Sequence, residues 1–242
     1  MSTHFRGTEL IWSKRAVMIG VLLGQFSLAC GSTSSAGATP SQAVVYDFAG
    51  LNAKQNVDQV EGLRATITWT VPPKLIPGYS VSSWIAFAAP QGLGGVSHRI
   101  AQVGWIETDP GHPRLFWEWG TSQSDSQKQL GADVKVGRPV NVEIDRDGLG
   151  IYSFYADNVL MGKGSVSWTP TDLGVFAETH NPAEFLPGNA TEPELITGLE
   201  QKVGGKWVPY VGEVLTTRTE FRVDVSPDGS VHIWDIRQPG MG

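Results

Sequence analysis

An all-β fold, an antiparallel sandwich or jelly roll, is what this 242-residue sequence predicts, and three observations carry that reading. Glycine (29), proline (15) and tryptophan (9) are abundant, a turn-rich and aromatic composition that suits short strands better than helices. Apolar and polar residues alternate in short runs, each bounded by turn residues. No internal repeat and no long apolar pattern of period 3.6 competes with those runs. Residues 43–242 are long enough for one domain of that kind.

The first 42 residues stand apart from this pattern. Lys14 and Arg15 precede a short apolar run, residues 16–24 (AVMIGVLLG), and small residues lead up to Cys30. A positive start, a short hydrophobic stretch and a small residue before the cut define a signal peptide, assigned to residues 1–29. The run is too short to span a membrane. Residues 27–30 (SLAC) resemble a bacterial lipobox, which implies cleavage before Cys30 and a lipid on its thiol. Residues 30–42, rich in Gly, Ser and Thr, then form a flexible tether. The resemblance places the protein in the cell envelope, exported and held to the membrane through Cys30. With a single cysteine the chain can form no internal disulfide.

Strand signals follow in order. Residues 52–63 offer a short polar helix or a loop. Residues 65–71 (ATITWTV) alternate and stop at Pro72 and Pro73, and residues 81–88 (VSSWIAFA) follow a turn at Pro77 and Gly78. Residues 97–120 (SHRIAQVGWIETDPGHPRLFWEWG) read as a hairpin that turns at Asp109, Pro110 and Gly111. Its first strand shows Ile100, Gln102 and Gly104 on one face. On the second, Leu115, Trp117 and Trp119 oppose Phe116 and Glu118. Residues 139–145 (PVNVEID) and 150–156 (GIYSFYA) flank a turn at Asp147 and Gly148, and Asp157 and Asn158 make another before Val159. Residues 173–179 (LGVFAET) put Phe176, Glu178 and His180 on one face and Val175 and Ala177 on the other. A final pair, 219–225 and 230–236, turns at residues 226–229 (SPDG). Residues 181–211 are weakly periodic and predict a long loop over one face.

The order of these motifs resembles the glutamic peptidases, the eqolisin family. The matching pieces are residues 67–72 (ITWTVP), Ser83 to Ile85 around Trp84, residues 99–104 (RIAQVG), residues 116–119 (FWEW) and residues 174–178 (GVFAE). The resemblance runs from about residue 65 to 179. It implies a concanavalin A-like jelly roll with a catalytic Gln and Glu on neighbouring strands of a concave sheet. Carried over, Gln102 is the catalytic amide and Glu178 the general base. Trp84, Trp117, Glu118, Trp119 and His180 are then candidate substrate-binding residues. The chemistry suits those residue types. A carboxylate can activate a water and pass its proton to the departing amine, while an amide N–H stabilises the developing oxyanion. The resemblance implies no metal and no other cofactor. One departure is that Trp84 is followed by residues 85–90 (IAFAAP), with no acid where the family carries one.

Other readings remain open at this level. Gln102 and Glu178 can be structural partners of each other. Glu118 can pair with Glu178 or Glu143, and paired carboxylates on one face suit glycoside hydrolysis, although the Glu-x-Asp-x-x-Glu run of jelly-roll glucanases is missing. Trp117 and Trp119 can form a sugar-stacking platform in a non-catalytic, lectin-like module, or they can be core. Only one face of that strand can line a groove, so either the tryptophan pair or Glu118 belongs to it. The expected partner is therefore a polypeptide or a polysaccharide. A net charge of −6 without a basic stripe argues against nucleic acid. His98, His112 and His180 show no metal-ligand spacing, and residues 145–148 (DRDG) make a turn rather than a calcium loop.

Overall fold

A computed structural model describes residues 46–54, 56–70, 73–89, 99–121 and 125–239. The expected signal peptide, the tether with Cys30, and His98 lie outside these residues. Within them the alternating runs become strands: β1 (Asp47–Ala53), β2 (Val60–Thr68), β3 (Val81–Ala88), β4 (Ile100–Glu107), β5 (Pro113–Gly120), β6 (Gln127–Asp133), β7 (Pro139–Arg146), β8 (Ile151–Ala156), β9 (Val159–Ser165), β10 (Asp172–Thr179), β11 (Glu194–Val203), β12 (Lys206–Pro209), β13 (Glu213–Thr216), β14 (Phe221–Val225) and β15 (Val231–Asp235). One sheet has seven strands in the order β13-β1-β10-β3-β4-β5-β6. The other has eight, β14-β15-β11-β2-β7-β8-β9, with β12 paired to β11. Their strand pairings are antiparallel, and the architecture is the jelly-roll sandwich that the composition and alternation predicted.

The sheets meet through one face each. Ile85, Phe87, Val103, Trp105 and Val175 of the first sheet pack on Leu63, Ile67, Ile144, Tyr152 and Phe154 of the second. Burying each such side chain stabilises the fold by about 1.5–3 kcal/mol, so this interior holds the two layers together. The first sheet carries a second apolar cluster on its opposite face, made of Phe48, Trp84, Ile100, Ile106, Phe116 and Phe176. That face also bears the candidate site.

The turns behave as their residues dictate. In the β4–β5 hairpin the His112 N–H donates to the Asp109 carbonyl at 3.0 Å, and Gly111 takes φ 78°. The buried Glu107 accepts the Gly111 N–H at 2.5 Å. Asp157 and Asn158, at φ 48° and 65°, join β8 to β9 in a two-residue turn.

Two expectations are overturned. Residues 52–63 form no α-helix: β1 runs to Ala53, one 3-10 turn covers Val57–Gln59, and β2 begins at Val60. That segment has no apolar stripe for a helix to bury, whereas Val60 and Leu63 reach the interior as strand residues. Residues 181–211 are not one long loop. Their second half is β11 and β12, and β11 lies between β15 and β2. Its register slips between Thr197 and Glu200, where Gly198 takes φ 57°, and the slip breaks the alternation that marks a strand. The irregular half, residues 181–193, is held down by Arg237. Its guanidinium donates to the Pro182 and Glu184 carbonyls at 3.0 and 2.7 Å and to buried Asp235 at 2.6 Å.

Candidate active site

The ladder of the first sheet arranges the candidate residues in three rows on the face turned away from the second sheet. One row reads Gly174, Ala86, Gln102, Glu118, Lys128 from β10 across to β6. The next reads Gly50, Phe176, Trp84, Gly104, Phe116. The third reads Phe48, Glu178, Ser82, Ile106, Arg114. Alternation together with this register puts Gln102, Trp84, Glu118 and Glu178 on one face.

Glu178 is held by three side chains. Its Oε2 accepts from Ser82 Oγ at 3.3 Å and from Trp84 Nε1 at 3.1 Å, and His180 Nε2 lies 3.3 Å from the same oxygen. Burial pushes this carboxyl up. The His180 charge, the His180 and Trp84 hydrogen bonds and the more distant Lys128 charge outweigh it, and the group is held below the ordinary carboxylate value. Its side chain stays 12% exposed. The site thus contains an ionised, immobilised carboxylate within reach of solvent.

Gln102 has a different partner. Its Nε2 donates to Glu118 Oε2 at 2.9 Å, and its Oε1 is buried without a partner. Glu118 also accepts from the Ser126 hydroxyl, and Lys128 Nζ lies 3.3 Å from it. No hydrogen bond joins Gln102 to Glu178, so their reading as direct structural partners is corrected. On a flat sheet, strand spacings of about 4.8 Å and rises of about 3.3 Å per residue would set their Cα atoms roughly 16 Å apart. The two rows still share one electrostatic neighbourhood. Lys128 of the Gln102 row acts on Glu178, and the Tyr46 hydroxyl is raised first by burial and then by both Glu178 and Glu118.

Trp117 and Trp119 do not line this face. They point between the sheets, where a Cβ on Gly162 would lie 2.6 Å from Trp117 Nε1 and one on Gly164 would lie 2.3 Å from Trp119. Trp119 also stacks on Phe154. Glycine across from each indole is what lets rings of this size enter the interior. The sugar platform expected from this pair is corrected to core, and Glu118 is the member of β5 that faces the site. Glu143 sits on β7 in the second sheet, so it cannot pair with Glu118 or Glu178 on the first. Among the described residues no cluster of His, Cys, Asp and Glu is arranged to hold a metal ion.

Alternation and turn signals did not single out Ser80, Ser82 or Tyr46. Ser82 lies in β3 and Ser80 just before it, at the spacing of two that shares a face with Trp84, which is the signal that could have found them. Tyr46 packs edge-on against His180, with ring centroids 5.0 Å apart.

This sandwich has the fold of the glutamic peptidases. A structure of SCP-B, a member of the eqolisin family of peptidases, in complex with the tripeptide Ala-Ile-His, superposes with TM-score 0.55 and 11% identity, covering 80% of this chain and 98% of that one. Scytalido-glutamic peptidase with a transition-state-analogue inhibitor gives TM-score 0.56 and 13% identity over the same shares. No protein-family model matches the sequence, and no curated protein sequence does.

Proposed function

We propose that this chain is a hydrolase of the glutamic-peptidase kind, with Glu178 as its general base. The observation that carries the reading is the Glu178 carboxylate itself. It is pinned through one oxygen by Ser82, Trp84 and His180, on the sheet face it shares with Gln102. In this scheme Glu178 takes a proton from a water on its other oxygen, and the hydroxide attacks the scissile carbonyl of a polypeptide laid across the strands. The same proton then passes to the departing amine. The scheme requires Gln102 to turn its amide from Glu118 and reach across the roughly 16 Å between the two Cα positions, so that its N–H stabilises the oxyanion. Glu118 and Lys128 set the resting orientation of that amide. The resemblance between residues 65 and 179 and the eqolisin motifs, together with the shared fold, supports this assignment.

The test is digestion of an unfolded protein at acidic to neutral pH. Glu178→Gln should lower the rate by about 10²- to 10⁴-fold, the usual worth of a positioned base. Gln102→Ala should lower it by about 10²-fold or more, with both variants keeping the wild-type far-UV spectrum. Undiminished cleavage by Glu178→Gln would sink the proposal. A wild type that cleaves nothing yet is retained on a polysaccharide column would favour the binding-module reading.

The same proposal includes export and a lipid anchor on Cys30, supported by the lipobox-like residues 27–30 and the tether behind them. In a bacterial host fed radiolabelled palmitate, the protein should be labelled and sediment with membranes. Cys30→Ala should lose the label and leave the membrane fraction. Equal labelling of both would refute the anchor.

A further inference from the structure

Ser80 is not part of the scheme above, yet its side chain is the next link in a chain that ends on Glu178. Ser80 Oγ lies 2.6 Å from His180 Nδ1, and His180 Nε2 lies 3.3 Å from Glu178 Oε2. The imidazole is fixed from several sides. The His180 main-chain N–H donates to the Ser80 carbonyl at 3.1 Å and to Glu184 Oε2 at 3.0 Å, and Tyr46 lies edge-on to the ring. Ser80 and His180 both line a hollow of about 250 Å³, completed by Gly78, Tyr79 and Thr108. We propose that Ser80, His180 and Glu178 form a nucleophilic centre that hydrolyses small carboxylic esters through an acyl-Ser80 intermediate.

The tautomer makes the case. In the neutral ring, a carboxylate facing Nε2 keeps the one ring proton on that nitrogen, which leaves the Nδ1 lone pair directed at the Ser80 hydroxyl. This is the Ser-His-acid relation with the two ring nitrogens exchanged, and such relays are recognised by geometry and role rather than by sequence order. Ser82 and Trp84 hold the same carboxylate oxygen, so the acid that stabilises an imidazolium is already in place.

The steps balance. As Ser80 Oγ bonds to the ester carbonyl carbon, its proton moves to Nδ1. When the carbon–oxygen bond to the alcohol breaks, that proton leaves with the alcohol. Water then attacks the acyl-Ser80 carbonyl, gives one proton to Nδ1, and releases the acid as Ser80 recovers its hydrogen. The hollow of about 250 Å³ beside Ser80 has room for a short acyl group.

The inference uses the placement of Glu178 but not the peptidase reading. The test is a fluorophosphonate probe on the purified protein at neutral pH, with the adduct located by mass spectrometry, alongside hydrolysis of p-nitrophenyl acetate. The expected result is one adduct, on Ser80, forming at least 10²-fold faster than on heat-denatured protein. His180→Gln should slow both labelling and ester hydrolysis by at least 10²-fold while leaving the far-UV spectrum unchanged. An adduct on another residue, no excess over denatured protein, or equal labelling of His180→Gln overturns the proposal. A protein that digests polypeptide but takes no label loses this centre and keeps the first reading. One that takes the label but digests nothing does the reverse.

Discussion

Raising the pH from 5 to 9 should weaken the wild-type fold far more than that of a Glu194→Gln variant. Glu194 opens β11 with its side chain fully buried in the sandwich. Trp105 Nε1 donates to its Oε1 at 3.0 Å. Burial therefore dominates, against the weaker pull of the Ser83 and Trp105 hydrogen bonds, and pushes the carboxyl from 4.5 up to about 8. The folded chain keeps this proton up to that pH, whereas the unfolded chain releases it near the ordinary value. Between the two, unfolding releases a proton, so stability is complete below about 4.5 and declines until the pH passes about 8. At about 1.4 kcal/mol per pH unit, the loss is on the order of 4 kcal/mol. A glutamine fills the same space, accepts the same indole N–H and has no proton to lose. Glu107 and Glu184 are raised in the same sense but are common to both proteins, so the difference isolates Glu194. Denaturant midpoints at pH 5, 7 and 9 should diverge steadily. Parallel curves would mean that Glu194 is not buried as a neutral acid.

Little of that was legible in the sequence, where residues 194–203 (ELITGLEQKV) showed neither a clean alternation nor any reason to bury an acid. What was legible came from period and turns. The alternation of residues 173–179, continued to His180, put Glu178 and His180 on one face, and the structure sets His180 Nε2 3.3 Å from Glu178 Oε2. The β4–β5 hairpin held more information than alternation took from it. A turn centred on Pro110 pairs residues equidistant from it, so Glu107 meets Pro113 and Gln102 meets Glu118. That arithmetic names the partner of Gln102, which alternation leaves open between Glu118 and Glu178. Strand order could not be read the same way. β10 reaches its place between β1 and β3 by a long crossover, and only there do Ser82, Trp84 and Glu178 meet. The two faces of β5 were readable as faces, but which of them was interior depended on Gly162 and Gly164 in β9, on the facing sheet. β6, at one edge of the first sheet, is polar and gave no hydrophobic signal, and β13, at the other, is only four residues long, too short for alternation to show.

A single methyl group at Gly104 should damage the site more than its size suggests. Gly104 lies between Trp84 and Phe116 in the middle row, and a Cβ there would sit 1.9 Å from the Ser83 carbonyl oxygen and 2.7 Å from Trp84 Cα. Both are backbone atoms of β3, so no side-chain rotation can relieve the contact. Gly104 is also absent from the residues with positive φ, which makes the cost steric rather than conformational. The strands must part, and the strand that moves carries Ser82 and Trp84, two of the groups that pin Glu178. Overpacking a tight interior costs about 1–3 kcal/mol and more where backbone must shift. In a domain of this size each kcal/mol lowers Tm by about 2–4 °C. Gly104→Ala should therefore lower Tm by roughly 5–10 °C and reduce the activity assigned to Glu178 in the protein that remains folded. Gly131→Ala is the matched control, because its Cβ would meet Leu115 Cβ and Met161 Cε at 3.2 Å and the Leu115 carbonyl oxygen at an ordinary 3.6 Å, where small shifts suffice. If Gly104→Ala melts within a degree or two of wild type, the close approach of β3 and β4 is wrong, and the geometry assigned to Trp84 and Glu178 falls with it.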